Sequence, residues 1–481
     1  MSKRIITLGT VKATHLVLVL AIALAVRLGF LLWNLSGWYF IPQNTLSHVY
    51  FQQGYAISAG YGYVISDSAR GDAILNDLYR DVSAGKLRVL RENAAPLLQS
   101  DVRPDVSHPP GTSMLIAAIY RIFGIPADVP LQVIAIVLDS FSAALFCWIV
   151  TATFGVRMGL VAGLLYALFP PFAAAAVSKQ PDGMLSFFLT APLACVIKAT
   201  DEREPMQLFW SVCAGICLGF GGYLRPDYIL LAVVLMFGLW AYTGRFWRSV
   251  RTAAVIQVVT LLVLLPWAYR NYNVCGRWIF TSTMVGAVLI TGLGEFQNPW
   301  GFGAFDEDRT AEAKAQGISS AWQCEGDLYL RRAFLNSVLE RPTGYLATVL
   351  KRLPIVLATP FTFGFQNPWK TQTFSQAREA GDDRYQVLLR RPGYLFAAYW
   401  DYIAMSSLTL FCFIAILFTA IKERSQAGLI FLLISPHLYS IGTHMLTHME
   451  PRFLLSSMFC WLIGPAYVLS RYSNIAVATR V

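Results

Sequence analysis

Arg225, Arg270 and Arg452 each stand at the end of an apolar run, and that placement defines the chemistry open to this chain. An arginine presents a planar fork of N–H donors that pairs with phosphate oxygens. Three such forks at one membrane face are suited to a phosphate carried on a lipid. Other polar residues crowd the same helix ends: Ser178 to Asp182, Tyr223 to Asp227, Pro266 to Tyr272 with Asn271 among them, and His444, His448 and Glu450. Asp182 is a candidate proton acceptor, set against the plainer role of an acid stabilised by a helix N-terminus. His444 and His448 lie at i and i+4 on one helix face, a spacing that also suits a divalent metal. Contact with a substrate or phosphate, or an ordinary polar turn, are the competing readings, and no cofactor is predicted. For any one of the arginines, interfacial anchoring would suffice.

The elements that must hold these residues follow from composition. Of 481 residues, 56% are hydrophobic and only 14% charged, whereas a soluble chain carries about 25% charged residues. A bilayer is crossed by about 20 apolar residues. Ten runs qualify: His15–Trp33, Leu131–Thr151, Met158–Val177, Gly183–Ala199, Leu208–Tyr223, Tyr228–Thr243, Thr252–Trp267, Tyr402–Ile421, Gly428–Met445 and Phe453–Leu469. The first lacks a small-residue cleavage site and reads as a retained helix. Basic residues orient the set. Lys3, Arg4, Lys12, Arg157, Lys198, Arg203, Arg245, Arg248, Arg251, Lys422, Arg424 and Arg471 occupy alternate connections, which makes those connections and both termini cytoplasmic. The net charge of +10 is scattered in this way, so it points to lipid headgroups and not to nucleic acid.

This parity leaves two long outer loops, 35–130 and 268–401. Thr112–Phe123 is apolar but short, and counting it as a span would invert every later loop, so it reads as interfacial or re-entrant. Tyr345–Thr359, with Lys351 and Arg352 inside an apolar helix, reads the same way. No internal repeat is visible. The expectation is an all-α integral membrane protein of about ten transmembrane helices, a single membrane-embedded domain over 1–481 with interfacial helices in its outer loops.

Several short stretches, in this order, resemble the polyprenyl-phosphate-dependent glycosyltransferases of the GT-C fold, in the protein-mannosyltransferase and aminoarabinose-transferase branch. They are Ala25-Val26-Arg27-Leu28, Gly60-Tyr61-Gly62-Tyr63, His108-Pro109-Pro110-Gly111, Leu168-Phe169-Pro170-Pro171, Arg225-Pro226-Asp227, Pro266 to Tyr272, and Glu450-Pro451-Arg452-Phe453. The resemblance implies a sugar held on a polyprenyl phosphate in the outer leaflet of a bacterial inner membrane. It implies a first-loop carboxylate that handles the acceptor's proton, and basic residues that stabilise the departing phosphate. The partners expected are that lipid-linked donor, membrane lipids, and an acceptor glycan, lipid or protein.

The sequence departs from the family pattern where that carboxylate is due. Ile41 to Tyr50 contains no Asp or Glu, leaving Gln43, Asn44, His48 and Tyr50 in that space, with His108 further along the loop. His48 is one replacement, since histidine is suited to proton transfer near neutral pH. A later loop acid, Asp67, Asp72, Asp101 or Asp105, could fold back, and Asp182 is the third candidate. Cys275 and Cys324 share the second outer loop, where an oxidising exterior permits a disulfide. Two other functions stay open: a lipid-linked glycan transporter, and an inactive relative that binds lipid-linked sugar.

Overall fold

Long apolar runs form helices because a helix satisfies its own backbone groups where no water reaches. The computed structural model describes residues 12–35, 45–83, 98, 100–201, 205–303, 306–358, 392–449 and 451–472. In chain order these fold as α1 (Ala13–Leu35), α2 (Thr45–Ser58), β1 (Val64–Ser66), α3 (Ala69–Ser83), β2 (Val102–Pro104), α4 (Gly111–Phe123), α5 (Asp128–Phe154), α6 (Val156–Leu168) and α7 (Pro170–Val177). There follow α8 (Asp182–Leu185), α9 (Phe187–Asp201), α10 (Met206–Leu224), a single 3₁₀ turn (Pro226–Tyr228), α11 (Leu231–Thr243), α12 (Phe246–Cys275), α13 (Val285–Gly294), α14 (Asp306–Ala315), α15 (Cys324–Glu340) and α16 (Pro342–Ala358). Last come α17 (Pro392–Lys422), α18 (Ala427–Leu446), α19 (Pro451–Leu455), a second 3₁₀ turn (Met458–Leu462) and α20 (Ile463–Tyr472).

Six stretches of the described residues are long and apolar enough to span a membrane, or seven if the bent pair α6–α7 is one span. Among the described residues the count of ten is not reached. At about 1.5 Å per residue, α11, with 13 residues, is about 20 Å long, short of a bilayer core of about 30 Å. The stretch Phe453–Leu469 is broken. Ser457 turns its hydroxyl back to the Leu454 carbonyl at 3.0 Å and also meets His437 Nδ1 at 2.8 Å, so side-chain bonds replace the helical ladder there. The stretch Thr112–Phe123 forms the 13-residue helix α4 and not a span.

The bend between α6 and α7 is 51°. Pro170 and Pro171 have no N–H to give the carbonyls of Tyr166 and Ala167, four residues earlier. Arg27, fully buried in α1, supplies the donor to Ala167 O from Nη1 at 2.7 Å; its Nη2 lies 3.5 Å from Tyr166 O, which also accepts the Phe169 N–H at 3.2 Å. Its Nε pairs with Asp139 of α5 at 2.6 Å, and the Tyr166 hydroxyl donates to the other Asp139 oxygen at 2.7 Å. One arginine thus joins α1, α5 and the kinked α6.

The bundle has two distinct ends. At one, Arg248 at the start of α12 reaches Gln207 Oε1 at 3.0 Å and the Ala199 carbonyl at 3.3 Å. Arg471 and Tyr467 of α20 meet Glu423, beside Lys422, at 2.9 and 2.8 Å. This is the basic end. The other, the polar end, carries the last turns of α10, α12 and α18. There the exposed stripe of α12, Val258, Leu262, Leu265, Tyr269 and Tyr272, finishes in two aromatics, with Trp278 stacked on Tyr272 at 5.1 Å. Tyrosine and tryptophan take that position at a membrane–water interface.

Beyond this interface α13, α14 and α15 pack around their own small core of Ala287, Ile290, Leu293, Ala313, Leu330 and Phe334. A disulfide between Cys275, the last residue of α12, and Cys324, the first of α15, ties this layer to the bundle. It closes a loop of 49 residues, a constraint on the unfolded chain of about 2–4 kcal/mol. Replacing both cysteines with alanine is expected to make this layer unfold at lower denaturant, read as earlier proteolysis. An unchanged profile would refute that contribution.

Candidate functional site

Three clusters of buried polar groups lie at the polar end. The first forms where α10 stops. Arg225 precedes a proline, which disfavours helical backbone, and it is extended at φ −149° and ψ 137°. That turns its side chain back toward α8. Nη1 pairs with Asp182 Oδ1 and Nη2 with Asp227 Oδ2, each at 2.6 Å. The Phe453 ring covers the guanidinium at 4.4 Å, and His444 Nε2 lies 3.7 Å from Asp227 Oδ2. Two carboxylates face one guanidinium, so the described side chains of the cluster carry an excess negative charge and Arg225 is not an open phosphate fork.

The second cluster is built on the turn after β2. Asp105 is fully buried. Its Oδ1 accepts the backbone N–H and hydroxyl of Ser107 at 2.8 and 2.6 Å. Its Oδ2 accepts Gln53 Nε2 of α2 at 2.6 Å and lies 3.2 Å from His108 Nδ1. Burial alone would push the Asp105 carboxyl up. The bonds from His108 and Ser107, and the charge of His108, outweigh it and hold Asp105 below the usual carboxylate range. Asp105 therefore stays ionised and orients the imidazole through Nδ1, which directs the chemistry of His108 to Nε2.

Arg270 anchors this turn from α12. It donates from Nη1 to the Asp105 carbonyl, and from Nη2 to the Tyr63 carbonyl at 3.1 Å. Its guanidinium lies 4.8 Å from the Trp267 ring. Together with a contact to Asn271 Oδ1 at 3.1 Å, these bonds use three of the five N–H donors of a guanidinium. The buried Asn271 also donates to the Ile279 carbonyl at 2.9 Å, folding the chain back after the helix. The Tyr63 hydroxyl donates to the His108 carbonyl at 3.1 Å.

Immediately after His108, α4 begins with no side-chain cap on its first turn. The Thr112 hydroxyl there is buried and lacks a hydrogen-bond partner among the described residues. Gly111 sits so close to α10 that a Cβ would fall 2.6 Å from the Tyr223 carbonyl. The His108 turn is thereby packed against the helix end that Arg225 terminates.

The third cluster links the outlying layer to the last turn of the bundle. Glu295, just after α13, meets Arg352 Nε at 2.7 Å, the Met449 N–H at 2.7 Å, and His448 Nδ1. Arg352 is fully buried and also donates to the carbonyls of Gly292 and Met445. Burial would raise Glu295, but the bond from His448 and the charge of Arg352 prevail and lower it.

Of the residues singled out in the sequence, Asp182, Arg225 and His444 come together, as do His108, Arg270 and Asn271. Tyr50 is buried with its ring 6.0 Å from that of His108. His48 is elsewhere: its Nε2 meets Asn76 Oδ1 at 2.8 Å and its ring packs on Tyr79, which joins α2 to α3. Gln43, Asn44 and Glu450 lie outside the described residues, as does the side chain of Arg452 in α19. Gln53 and Glu295 carry no local sequence signal, whereas Tyr63 ends the Gly60-Tyr61-Gly62-Tyr63 stretch. Asp105 did carry one, a Ser and a His two and three residues on, which suits a side-chain-closed turn. Among the described residues, no group of three or more His, Cys, Asp or Glu is arranged to hold a metal ion.

Residues 107–269 match the family described as dolichyl-phosphate-mannose-protein mannosyltransferase. No curated protein matches the chain. Solved structures do. The archaeal oligosaccharyltransferase AglB from Archaeoglobus fulgidus, in complex with an inhibitory peptide and a dolichol-phosphate, aligns with a TM-score of 0.50 at 14% identity, over 98% of this chain and 52% of that one. The apo form of the Archaeoglobus fulgidus oligosaccharyltransferase gives 0.51 at 13% identity, over 98% and 52%. ArnT from Cupriavidus metallidurans in the apo state aligns at 14% identity over 94% of this chain and 76% of that one, with a TM-score of 0.35 that adds nothing to the fold assignment. The chain thus spans about half the length of the oligosaccharyltransferases it matches. With a helical bundle that aligns on theirs and a central stretch similar to the mannosyltransferase family, this chain is a multi-pass membrane protein of the GT-C fold.

Proposed function

We propose that the chain transfers a sugar from a polyprenyl-phosphate donor to an acceptor at the outward face of the membrane, working at the polar end of the bundle. The observation that carries this reading is that two poles of different character adjoin the Tyr223 to Arg225 helix end, one through Gly111 packed on Tyr223 and one through Arg225 paired with Asp182. One pole offers donors: His108 through Nε2 in its imidazolium form, Arg270, and the uncapped start of α4 with its Thr112 hydroxyl, unpartnered among the described residues. A phosphate suits it, because a helix N-terminus and fixed N–H donors stabilise negative charge. The other pole carries the excess carboxylate of Asp182 and Asp227 around Arg225.

The reaction follows from this polarity. The lipid phosphate rests against His108 and Arg270. An acceptor hydroxyl approaches the anomeric carbon from the Asp182 side. As the new bond forms, its proton passes to that carboxylate, and the bond from the anomeric carbon to the phosphate oxygen breaks. The electron pair leaves with the phosphate, whose growing charge is met by donors already in place. Arg225 holds Asp182 in position and limits the cost of two neighbouring carboxylates.

The outward assignment rests on the basic residues of the opposite end, which are retained on the cytoplasmic side in a bacterial inner membrane. A transporter would need an open polar path through the bundle. The described intramembrane pair, Arg27 with Asp139, is sealed at 0% and 1% exposure.

The test is transfer of radiolabel from polyprenyl-phosphate sugars in proteoliposomes holding the purified chain. The reading expects release of polyprenyl phosphate together with labelled acceptor or free sugar. No release from any hexosyl or pentosyl donor, with the chain folded, would contradict it.

A further inference from the structure

One surface at the polar end is apolar, exposed and assigned no role by the chemistry above. On α15, Leu335 and Leu339 are 57% and 79% exposed; on α16, Leu346, Leu350 and Leu353 are 57%, 56% and 42% exposed. The spacings i, i+4 on one helix and i, i+4, i+7 on the next place each set on one helix face. Arg341 and Pro342 join the two helices, so the stripes belong to one hairpin. A soluble face does not present five large aliphatic side chains in a row without a partner.

We infer that this face of the α15–α16 hairpin is a bilayer-binding surface that lies in the same leaflet as the polar end. Two observations select lipid as the occupant. First, the surface is continuous with the lipid-facing rim of the bundle. Tyr345 donates to the Leu446 carbonyl at 2.6 Å and Arg352, two turns on, reaches the Met445 carbonyl, so α16 lies against the end of α18, where Leu446 is itself 53% exposed. Second, the charges beside the stripe suit anionic headgroups. Arg332, Arg341 and Lys351 are exposed, against two exposed acids, Glu325 and Glu340, on the hairpin, which leaves a net positive charge. Arg352 takes no part in this surface; it points the other way, into Glu295.

The arrangement has a consequence for the site. The hairpin is seated on lipid by one face and on the last turn of α18 by the other, through Arg352, Glu295 and His448. That turn leads directly to Phe453, the ring that covers Arg225. The leaflet thus supports the layer that closes over the carboxylate pole.

Photo-crosslinking tests this directly and does not depend on sugar transfer. Leu339 and Leu350 are each replaced by p-benzoylphenylalanine in the full chain, reconstituted in phosphatidylcholine vesicles with one quarter phosphatidylglycerol. Leu262, on the exposed stripe of α12, serves as the lipid-facing reference. Illumination is expected to yield phospholipid adducts at 339 and 350 at no less than about one third of the yield at 262. Cross-links to a second copy of the chain would assign the face to a protein interface and overturn the inference. Absence of any adduct at both positions, with adducts at 262, would show a water-facing surface and overturn it equally.

Discussion

Replacing His108 with alanine is expected to lower the rate of sugar transfer by about 100- to 1,000-fold, the usual loss when one preorganised donor to developing charge is removed. The effect should fall mainly on kcat. The imidazole is held by Asp105 and Ser107 before any donor arrives, so it needs no reorganisation as the phosphate gathers charge. Binding of the donor draws also on its isoprenoid chain and on Arg270, and KM should change far less. Asp105→Asn should reproduce part of the loss, because the amide cannot match the carboxylate that both fixes the ring and accepts from Gln53 and Ser107. Acid should have a related effect. Asp105 is held below the ordinary carboxylate range, so its contribution to the fold is complete above pH about 4, the usual carboxylate value, and is lost only as pH falls through the lowered value. Transfer by His108→Ala within twofold of the wild type would remove His108 from the reaction.

Replacing Arg27 with leucine is expected to destabilise the bundle by about 3–5 kcal/mol, the cost of leaving a buried charge without its partner. Asp139 would lose its cation while fully enclosed. Changing both residues, Arg27→Leu with Asp139→Leu, removes the unpaired charge but cannot restore a donor to the Ala167 carbonyl. That carbonyl stays orphaned by Pro171, and a buried group without a hydrogen bond costs about 1–3 kcal/mol. The double variant should therefore recover part of the loss and remain less stable than the wild type. Denaturant unfolding in detergent measures this. Full recovery in the double variant would mean that Arg27 serves only as a counter-charge and not as the donor that completes the kink.

The long helices are legible in the sequence because lipid imposes a length and a composition on each of them. What hydropathy could not locate is where a helix stops early. α11 and the broken stretch Phe453–Leu469 read as apolar runs, and the hydroxyls of Ser456 and Ser457, bonded across to Tyr228 and His437, show why the last one is not continuous. The site divides in the same way. Arginines at helix ends are readable one by one, but their partners are not. Arg225 reads as an open fork until Asp182, 43 residues away, folds against it. Asp105 is one of several loop acids until Gln53, 52 residues before it, selects it. Glu295 depends on Arg352 and His448, 57 and 153 residues off. The sequence motifs around Arg27 and around Pro170 read as unrelated, and they are one structural feature because the first supplies a hydrogen bond that the second lacks.

The two-pole arrangement is tested most directly by measuring binding of sugar-free polyprenyl phosphate alongside transfer, in His108→Ala and Asp182→Asn. The account predicts that His108→Ala weakens phosphate binding. It predicts that Asp182→Asn leaves binding unchanged or tightens it, since a negative charge is removed beside Arg225, while transfer falls by about 100-fold or more. If Asp182→Asn weakens phosphate binding as His108→Ala does and leaves transfer intact, the phosphate does not sit at the His108 pole and Asp182 takes no proton.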